Sequence, residues 1–233
     1  MTTWVGTSGY SYPEWRGSFY PEKFPTTKMF AYYVERFPTV EINNTFYRMP
    51  TAKLVGDWAA ATPERFKLTL KAPRRITHEA RLKDCADALS RFVDVASTLG
   101  PKLGVLLFQL PPFFRKDLAV LDAFIEILPK DVQAAFEFRH SSWLGDELYS
   151  RLRARNLALC IADSESSSTP VEVTASYAYF RLRDEGYVPE DIKRWAATIR
   201  EKTASCSDVY VYFKHEEKGI GPELARTFIE ALG

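Results

Sequence analysis

Short runs of β-branched, aromatic and aliphatic residues recur along the chain, alternating with stretches whose apolar residues return every third or fourth position. The runs predict strands near Trp4–Ser8, Thr39–Asn43, Phe66–Lys71, Leu103–Gln109, Ala134–Arg139, Leu157–Asp163, Tyr177–Arg183 and Asp208–Lys214. Helical spacing follows Thr51, a suitable N-cap, in Leu54, Val55, Trp58 and Ala59, and Pro63 stops it. It returns in Leu89, Phe92, Val93, Ala96 and Leu99 before Gly100, and in Leu118, Leu121, Phe124, Ile125 and Leu128 before Pro129. Pro189, Glu190 and Asp191 open another helix, carried on by Ile192, Trp195, Ala196 and Ile199. Leu224, Ala225, Phe228, Ile229 and Leu232 close the chain in the same way. Eight strands, with a helix after nearly every one, predict an α/β fold: a single TIM-type (β/α)8 barrel over residues 1–233. The exception is "SESSSTPVEVTA" after the sixth strand, a loop or an irregular short helix. The competing architecture is an open doubly wound sheet, but "GTSGY" after the first strand does not match its dinucleotide fingerprint.

In such a barrel the functional face lies at the carboxyl ends of the strands, and side chains alternate between interior and helix-facing sides. Glu41 and Asn43 then share one side, as do Lys67, Thr69 and Lys71, Glu137 and Arg139, and Tyr179, Arg181 and Arg183. Gln109, Asp163 and Lys214 end three further strands. Buried charge is costly unless paired, so this mixed-charge set predicts salt-linked groups around a cavity. The competing view is a polar plug that only fills the barrel mouth.

Charge and composition narrow the partners. Over 233 residues the net charge is +1, which predicts no strong overall attraction to nucleic acid or to a membrane surface. Basic residues are nonetheless concentrated in "KLTLKAPRRITHEARLK", where Lys67, Lys71, Arg74, Arg75, Arg81 and Lys83 meet one acidic residue, Glu79. That stretch is either a solvated loop or an anion-binding rim, since Arg suits bidentate phosphate or carboxylate contacts. Three cysteines without ligand spacing suit a reducing compartment. The opening "MTTWVGTSGY" lacks the regions of a signal peptide, and no apolar run approaches the roughly 20 residues of a membrane span. The expectation is a cytoplasmic globule with no membrane partner and no organic cofactor.

The histidines, His78, His140 and His215, each follow a strand, but none forms an HExxH-type pair, so no multi-histidine metal site is expected. A magnesium or manganese site built on Glu41, Glu137 or Asp163 stays open. Much of the aromatic content must be core, with Trp143 and Tyr47 the better candidates for a flat stacking surface.

At this level of detail the motifs become distinctive. "VGTSGYSYPEW", "FYP", "EINNTFYR", "FKLTLKAPRRITH", "LLFQLPP" and "AFEFRHSSW" occur in order, and with them the chain resembles the domain-of-unknown-function 72, or YecE-like, family. The resemblance implies a TIM-type barrel with a polar site at the strand carboxyl ends, and it implies no particular activity. It draws attention to Ser8, Tyr10, Glu41, Asn43, Asn44, Tyr47, Lys71, His78, Gln109, Glu137, Arg139, His140, Trp143 and Asp163. Late in the chain "RLRDEG" stands where the family often has "RLHG", and "YFKH" replaces an asparagine-rich turn. Those departures bear on Arg183, Lys214 and His215.

The candidate catalytic set is therefore Glu41, Lys71, Glu137, Arg139, His140 and Asp163. Around it the candidate substrate-binding set is Ser8, Tyr10, Asn43, Asn44, Tyr47, Arg74, His78, Gln109, Trp143 and Arg181. One reading is a hydrolase or lyase acting on a small anionic or phosphorylated substrate, or on a phosphodiester. Glu41 or Glu137 would serve as acid or base, and Lys71, Arg139 and Arg181 would stabilise negative charge. Burial among cations would make Lys71 a nucleophile. Glu41 and Glu137 also resemble a glycosidase-type carboxylate pair. A different class is a nucleic-acid-binding barrel with a basic rim and aromatic stacking. Oligomeric state is not encoded in any of these features.

Overall fold

The computed structural model describes residues 1–164 and 167–233. Eight parallel strands close into a barrel: β1 Thr2–Ser8, β2 Thr39–Ile42, β3 Lys67–Lys71, β4 Leu103–Gln109, β5 Ala134–Glu137, β6 Ala158–Ser164, β7 Tyr177–Leu182 and β8 Asp208–Phe213. Each strand pairs with its sequence neighbours, β8 returns to β1, and Ser167–Ser168 adds a short antiparallel ladder to the end of β6. The helices are α1 Thr26–Val34, α2 Asn44–Tyr47, α3 Ala52–Ala60, α4 Ala86–Ser97, α5 Leu118–Ile127, α6 Asp146–Ala154, α7 Pro189–Lys202 and α8 Ile220–Leu232.

The expected caps form: Thr51 accepts a hydrogen bond from the Leu54 N–H (3.2 Å) at the start of α3. No helix follows β6 among the described residues; Glu165 and Ser166, within the segment expected to be irregular, lie outside them. Three helices escaped the sequence pattern, the single turn α2 among them. The aromatic run of α1 reads equally well as a strand, and α6 buries only Leu148, Tyr149 and Leu152 among many charges.

Strand alternation creates two apolar layers. The outward side of β2–β8, including Val40, Ile42, Leu70, Phe108, Phe136, Phe180 and Phe213, packs under Trp58, Phe92, Phe124 and Phe228 of the helices. The inward side holds Val105, Leu107, Ala135, Cys160, Tyr177, Tyr179, Tyr210 and Tyr212. Buried phenols need partners. Tyr177 exchanges bonds with the Ala134 backbone (2.8 and 2.9 Å), and Tyr212 Oη bonds the hydroxyls of Thr39 (2.7 Å) and Thr69 (2.9 Å). Tyrosines of β7 and β8 thus fill the interior from one side, opposite Ala and Thr. The barrel is plugged below its mouth, and only the carboxyl ends of the strands remain for polar chemistry.

Candidate active site at the barrel mouth

On six of the eight strands the inward series ends in a polar residue that joins the mouth: Ser8 on β1, Glu41 on β2, Lys71 on β3, Gln109 on β4, Glu137 on β5 and Arg181 on β7. Their side chains join in one continuous network. Arg181 is at its centre, entirely buried. It donates from Nε and Nη2 to Glu41 (3.0 and 2.8 Å), from Nη1 to Glu137 Oε2 (2.5 Å), and from Nη2 to Ser8 Oγ (3.2 Å). Ser8 Oγ and Tyr179 Oη each donate a short hydrogen bond to Glu41. Gln109 Nε2 donates to both Glu137 oxygens (2.9 Å each), and its Oε1 accepts from Lys71 Nζ (2.8 Å). At the other end Asn43 Nδ2 donates to Ser8 Oγ (2.7 Å). Because Ser8 has one proton and gives it to Glu41, its other partners must be donors, which fixes the Asn43 amide orientation. Asn43 Oδ1 is then a buried acceptor with no donor among the described residues.

The electrostatics follow from this wiring. Burial alone would push the Glu137 carboxyl up, but Arg181, Arg183 and Lys71 outweigh it and hold it at about 2. Glu41 is likewise held below the usual carboxylate range, Arg181 overcoming the effect of burial. Both stay anionic. Lys71, 8% exposed, is pushed down to about 8, first by burial and then by Arg181 and Lys214, against the pull of the two glutamates. His78 lies in the π-helical turn Arg75–Glu79 after β3 and falls to about 4, through burial and then Lys71, Arg139 and Arg74. The two bases share a neighbour. Lys71 Nζ sits 4.3 Å from the Phe46 ring centroid, and the His78 ring meets the same ring edge-on at 4.8 Å.

Not every sequence candidate joins this cluster. The strand carrying Glu137 ends there, so Arg139 stands exposed beyond it rather than in the inward row. Asp163 pairs in register with outward-facing Leu182 and accepts a bond from Tyr187 Oη (2.7 Å), outside the network. His140 accepts from the Ser142 N–H (3.2 Å) and caps a turn. Trp143 is no stacking platform: it is 1% exposed, packs on Phe114 and Phe138, and donates to the Phe114 carbonyl. Tyr10 rests on Phe30 and Tyr33, and Arg74 pairs with Glu79 (3.0 Å). Gly9, Tyr10, Tyr12, Asn43, Asn44 and Tyr47 line a cleft of about 230 Å³ bordering the mouth, and Tyr47 is 76% exposed. Phe46 and Tyr179, absent from the expected site residues, touch its reactive groups. Tyr179 was visible in the inward parity of β7; Phe46 had no signal beyond an aromatic just past β2.

The carboxylate pair does not fit a glycosidase, because the Arg181 guanidinium bonds both acids and fills the space between them. The same guanidinium takes the place a divalent ion would need between Glu41 and Glu137. Among the described residues no three His, Cys, Asp or Glu side chains are grouped to hold a metal.

Fold and mouth together define a small TIM-type barrel with a salt-linked polar network at the carboxyl ends of its strands. The chain belongs to the DUF72 family: the family model described as "Protein of unknown function DUF72" matches residues 4–233. It is similar to the UPF0759 protein YecE of Escherichia coli K12, at 30% identity over 167 residues, covering 69% of this chain and 59% of YecE. This chain thus matches less than two thirds of YecE's length. The UPF0759 protein YunF of Bacillus subtilis is 23% identical, with 98% of this chain and 94% of YunF aligned. A crystal structure of a DUF72 family protein from Thermotoga maritima superposes with a TM-score of 0.90 at 27% identity, covering 100% of this chain and 99% of that one. One from Enterococcus faecalis has a TM-score of 0.81 at 20% identity, covering 99% and 97%, which supports the fold alone.

Proposed function

We propose that the barrel is an enzyme, a hydrolase or lyase, taking a small anionic or phosphorylated substrate at the mouth above the Arg181 network. One observation carries the reading: Lys71 and His78 meet at the Phe46 ring beside the mouth, where burial first, and then Lys214 and Arg139, disfavour their charged forms, against the pull of Glu41 and Glu137. Inside the network two carboxylates already balance Arg181 and Lys71. Arg139 at the rim has no ion pair among the described residues, and Lys214 has only a 3.4 Å contact with Glu216. An anionic group would complete this arrangement. Glu41 and Glu137 are enclosed and fully bonded, so their role is to position Arg181, Gln109 and Lys71. Lys71 and His78 are the groups able to exchange protons with a ligand. Three free, buried cysteines suit a cytoplasmic setting. Among the described residues no helix is long and apolar enough to cross a membrane.

Calorimetric titration with inorganic phosphate and with glycolate tests the reading. Binding by the wild type and at least a roughly tenfold loss in Arg139→Ser combined with Lys214→Ser are expected. Absence of binding, or equal binding by the double variant, overturns it.

A second reading has its own support. Exposed Tyr47 and the side chains of Arg48, Arg74, Arg75 and Arg91 line one cleft beside the mouth with Glu79, which pairs with Arg74, and Asp87; the basic excess beside an aromatic ring suits single-stranded nucleic acid.

A further inference from the structure

We propose that Lys71 forms an imine with a short hydroxy-carbonyl compound that carries an anionic group, and that His78 moves the protons of the addition. The inference rests on the anionic-substrate reading and names the substrate class and the covalent step.

Three placements lead to it. The first is Lys71 itself. Its Nζ stands at the carboxyl end of β3, held from one side by Gln109 Oε1 at 2.8 Å and laid over Phe46 at 4.3 Å. No carboxylate lies within ion-pair distance of it among the described residues, although two carboxylates lie in the same network. Both glutamates are committed to Arg181, and Gln109 stands between Glu137 and the lysine, accepting from Nζ through a neutral amide. A lysine meant only to neutralise charge would be paired directly. Contact through an amide instead leaves the amine able to lose its proton, as its depressed pKa of about 8 requires.

The second placement is His78. It shares the Phe46 ring with Lys71, and its Nδ1 is engaged by the Thr77 hydroxyl at 2.9 Å. Nε2 is then the atom free to trade a proton with a ligand bound at the amine. The third is Asn43 Oδ1, a buried acceptor without a donor at the end of the neighbouring strand; Thr45, two residues on, bonds the Lys71 carbonyl at 2.7 Å. An orphaned acceptor favours a ligand that brings a hydroxyl.

The step balances within these groups. The neutral Nζ lone pair adds to the carbonyl carbon, and the C=O π pair moves to oxygen. His78 takes a proton from the nitrogen and returns it to the oxygen, giving a carbinolamine. The imidazole then takes the remaining nitrogen proton and delivers it to the carbinolamine hydroxyl, which leaves as water while the nitrogen lone pair closes the C=N bond of the imine. A ketone and an amine have then become an imine and one water, and no oxidant or reductant is consumed.

Dihydroxyacetone phosphate, incubated with the intact protein and sodium cyanoborohydride, provides the test. The reductant converts an imine to a stable secondary amine that peptide mass spectrometry maps. The expected result is one dominant adduct on Lys71, absent in Lys71→Arg, with trapping about tenfold weaker for hydroxyacetone phosphate, which lacks only the free hydroxyl. Mapping on the wild type is decisive even if the variant fails to fold. Labelling spread over surface lysines without excess at Lys71, while inorganic phosphate still binds by calorimetry, overturns the imine and leaves the anion reading standing. If phosphate also fails to bind, both fall. Dominant trapping at Lys71 that is equal for the two ketones retains the imine and overturns the hydroxyl requirement assigned to Asn43.

Discussion

Arg181 shows how one residue determines the character of the mouth. Its guanidinium has five donors in a rigid fork, and here they reach Glu41, Glu137 and Ser8 together, which no lysine could match. Replacing it with methionine strands two carboxylates in the interior, at a cost of about 3–5 kcal/mol. The pH dependence should invert as well. In the wild type Glu137 titrates at about 2 and Glu41 below its ordinary value, so their stabilisation is complete above the unfolded value near 4.5 and is lost as pH falls toward 2. Without the cation burial dominates, and both carboxyls rise above their unfolded values. Folding of Arg181→Met then takes up protons, and its stability increases as pH falls from 7 to 5. Urea midpoints at the two pH values check this; a variant whose midpoint falls alongside that of the wild type would contradict the assignment. Other residues show where single-residue reading fails. Trp143 was expected at the surface because it follows a polar strand end, yet its indole N–H needed a buried carbonyl and its ring found Phe138. Nothing in the local sequence specifies that the chain folds back over it.

Among the elements, β1 and β2 meet at the closest backbone approach near the mouth. A Cβ on Gly6 would lie 2.2 Å from the Thr39 carbonyl oxygen and 2.9 Å from the Tyr33 hydroxyl. That hydroxyl, from α1, accepts from the Thr7 N–H (2.8 Å) and donates to Thr39 O (3.0 Å), joining the two strands just below Ser8 and Glu41. Tyr33→Phe leaves both backbone groups buried without this partner and should cost about 2 kcal/mol. For a chain of this size that is a Tm lower by roughly 4–8 °C in calorimetry. Gly6→Ala forces backbone apart and should cost more; a Tm drop for Gly6→Ala smaller than that for Tyr33→Phe would show that the strands do not meet this way. Elements are also where the sequence was most legible. Two-residue alternation alone placed Glu41, Lys71, Glu137 and Arg181 on the inward side, because a one-residue error would have turned Val40, Leu70, Phe136 and Phe180 inward as well. The same rule cannot place Arg139, since β5 stops at Glu137 and alternation has no meaning beyond a strand's end. Asp163 lies on the outward parity of β6. Where a hydrogen-bonded ladder continued, alternation gave the side each residue faces, and beyond it side-chain direction depended on tertiary contacts no short window contains.

At the scale of the whole molecule the question is whether the positive mouth serves a small ligand or a polymer. A net charge of +1 supplies no long-range attraction, so any anion must be held by the few cations it touches. A phosphate-bearing metabolite at the mouth engages one or two of these. A single strand following Arg48, Arg74, Arg75 and Arg91 past Tyr47 would neutralise about four, and its log K would fall with log salt at a slope of roughly −3. The small-ligand reading predicts a slope of magnitude under about 2 for inorganic phosphate between roughly 50 and 200 mM salt. It also predicts that an oligonucleotide binds no more tightly than a mononucleotide at about 150 mM salt, near the physiological ionic strength at which exposed charges are screened beyond about 8 Å. Tyr47→Ala separates the two further. Loss of a stacking platform is worth about 1–3 kcal/mol per base to a strand-binding protein, and nothing to a phosphate held at Arg139 and Lys214. A steep salt slope together with loss of oligonucleotide affinity in Tyr47→Ala would reassign the mouth to nucleic acid. A shallow slope with unchanged phosphate affinity in Tyr47→Ala would place recognition with the cations above the Arg181 network.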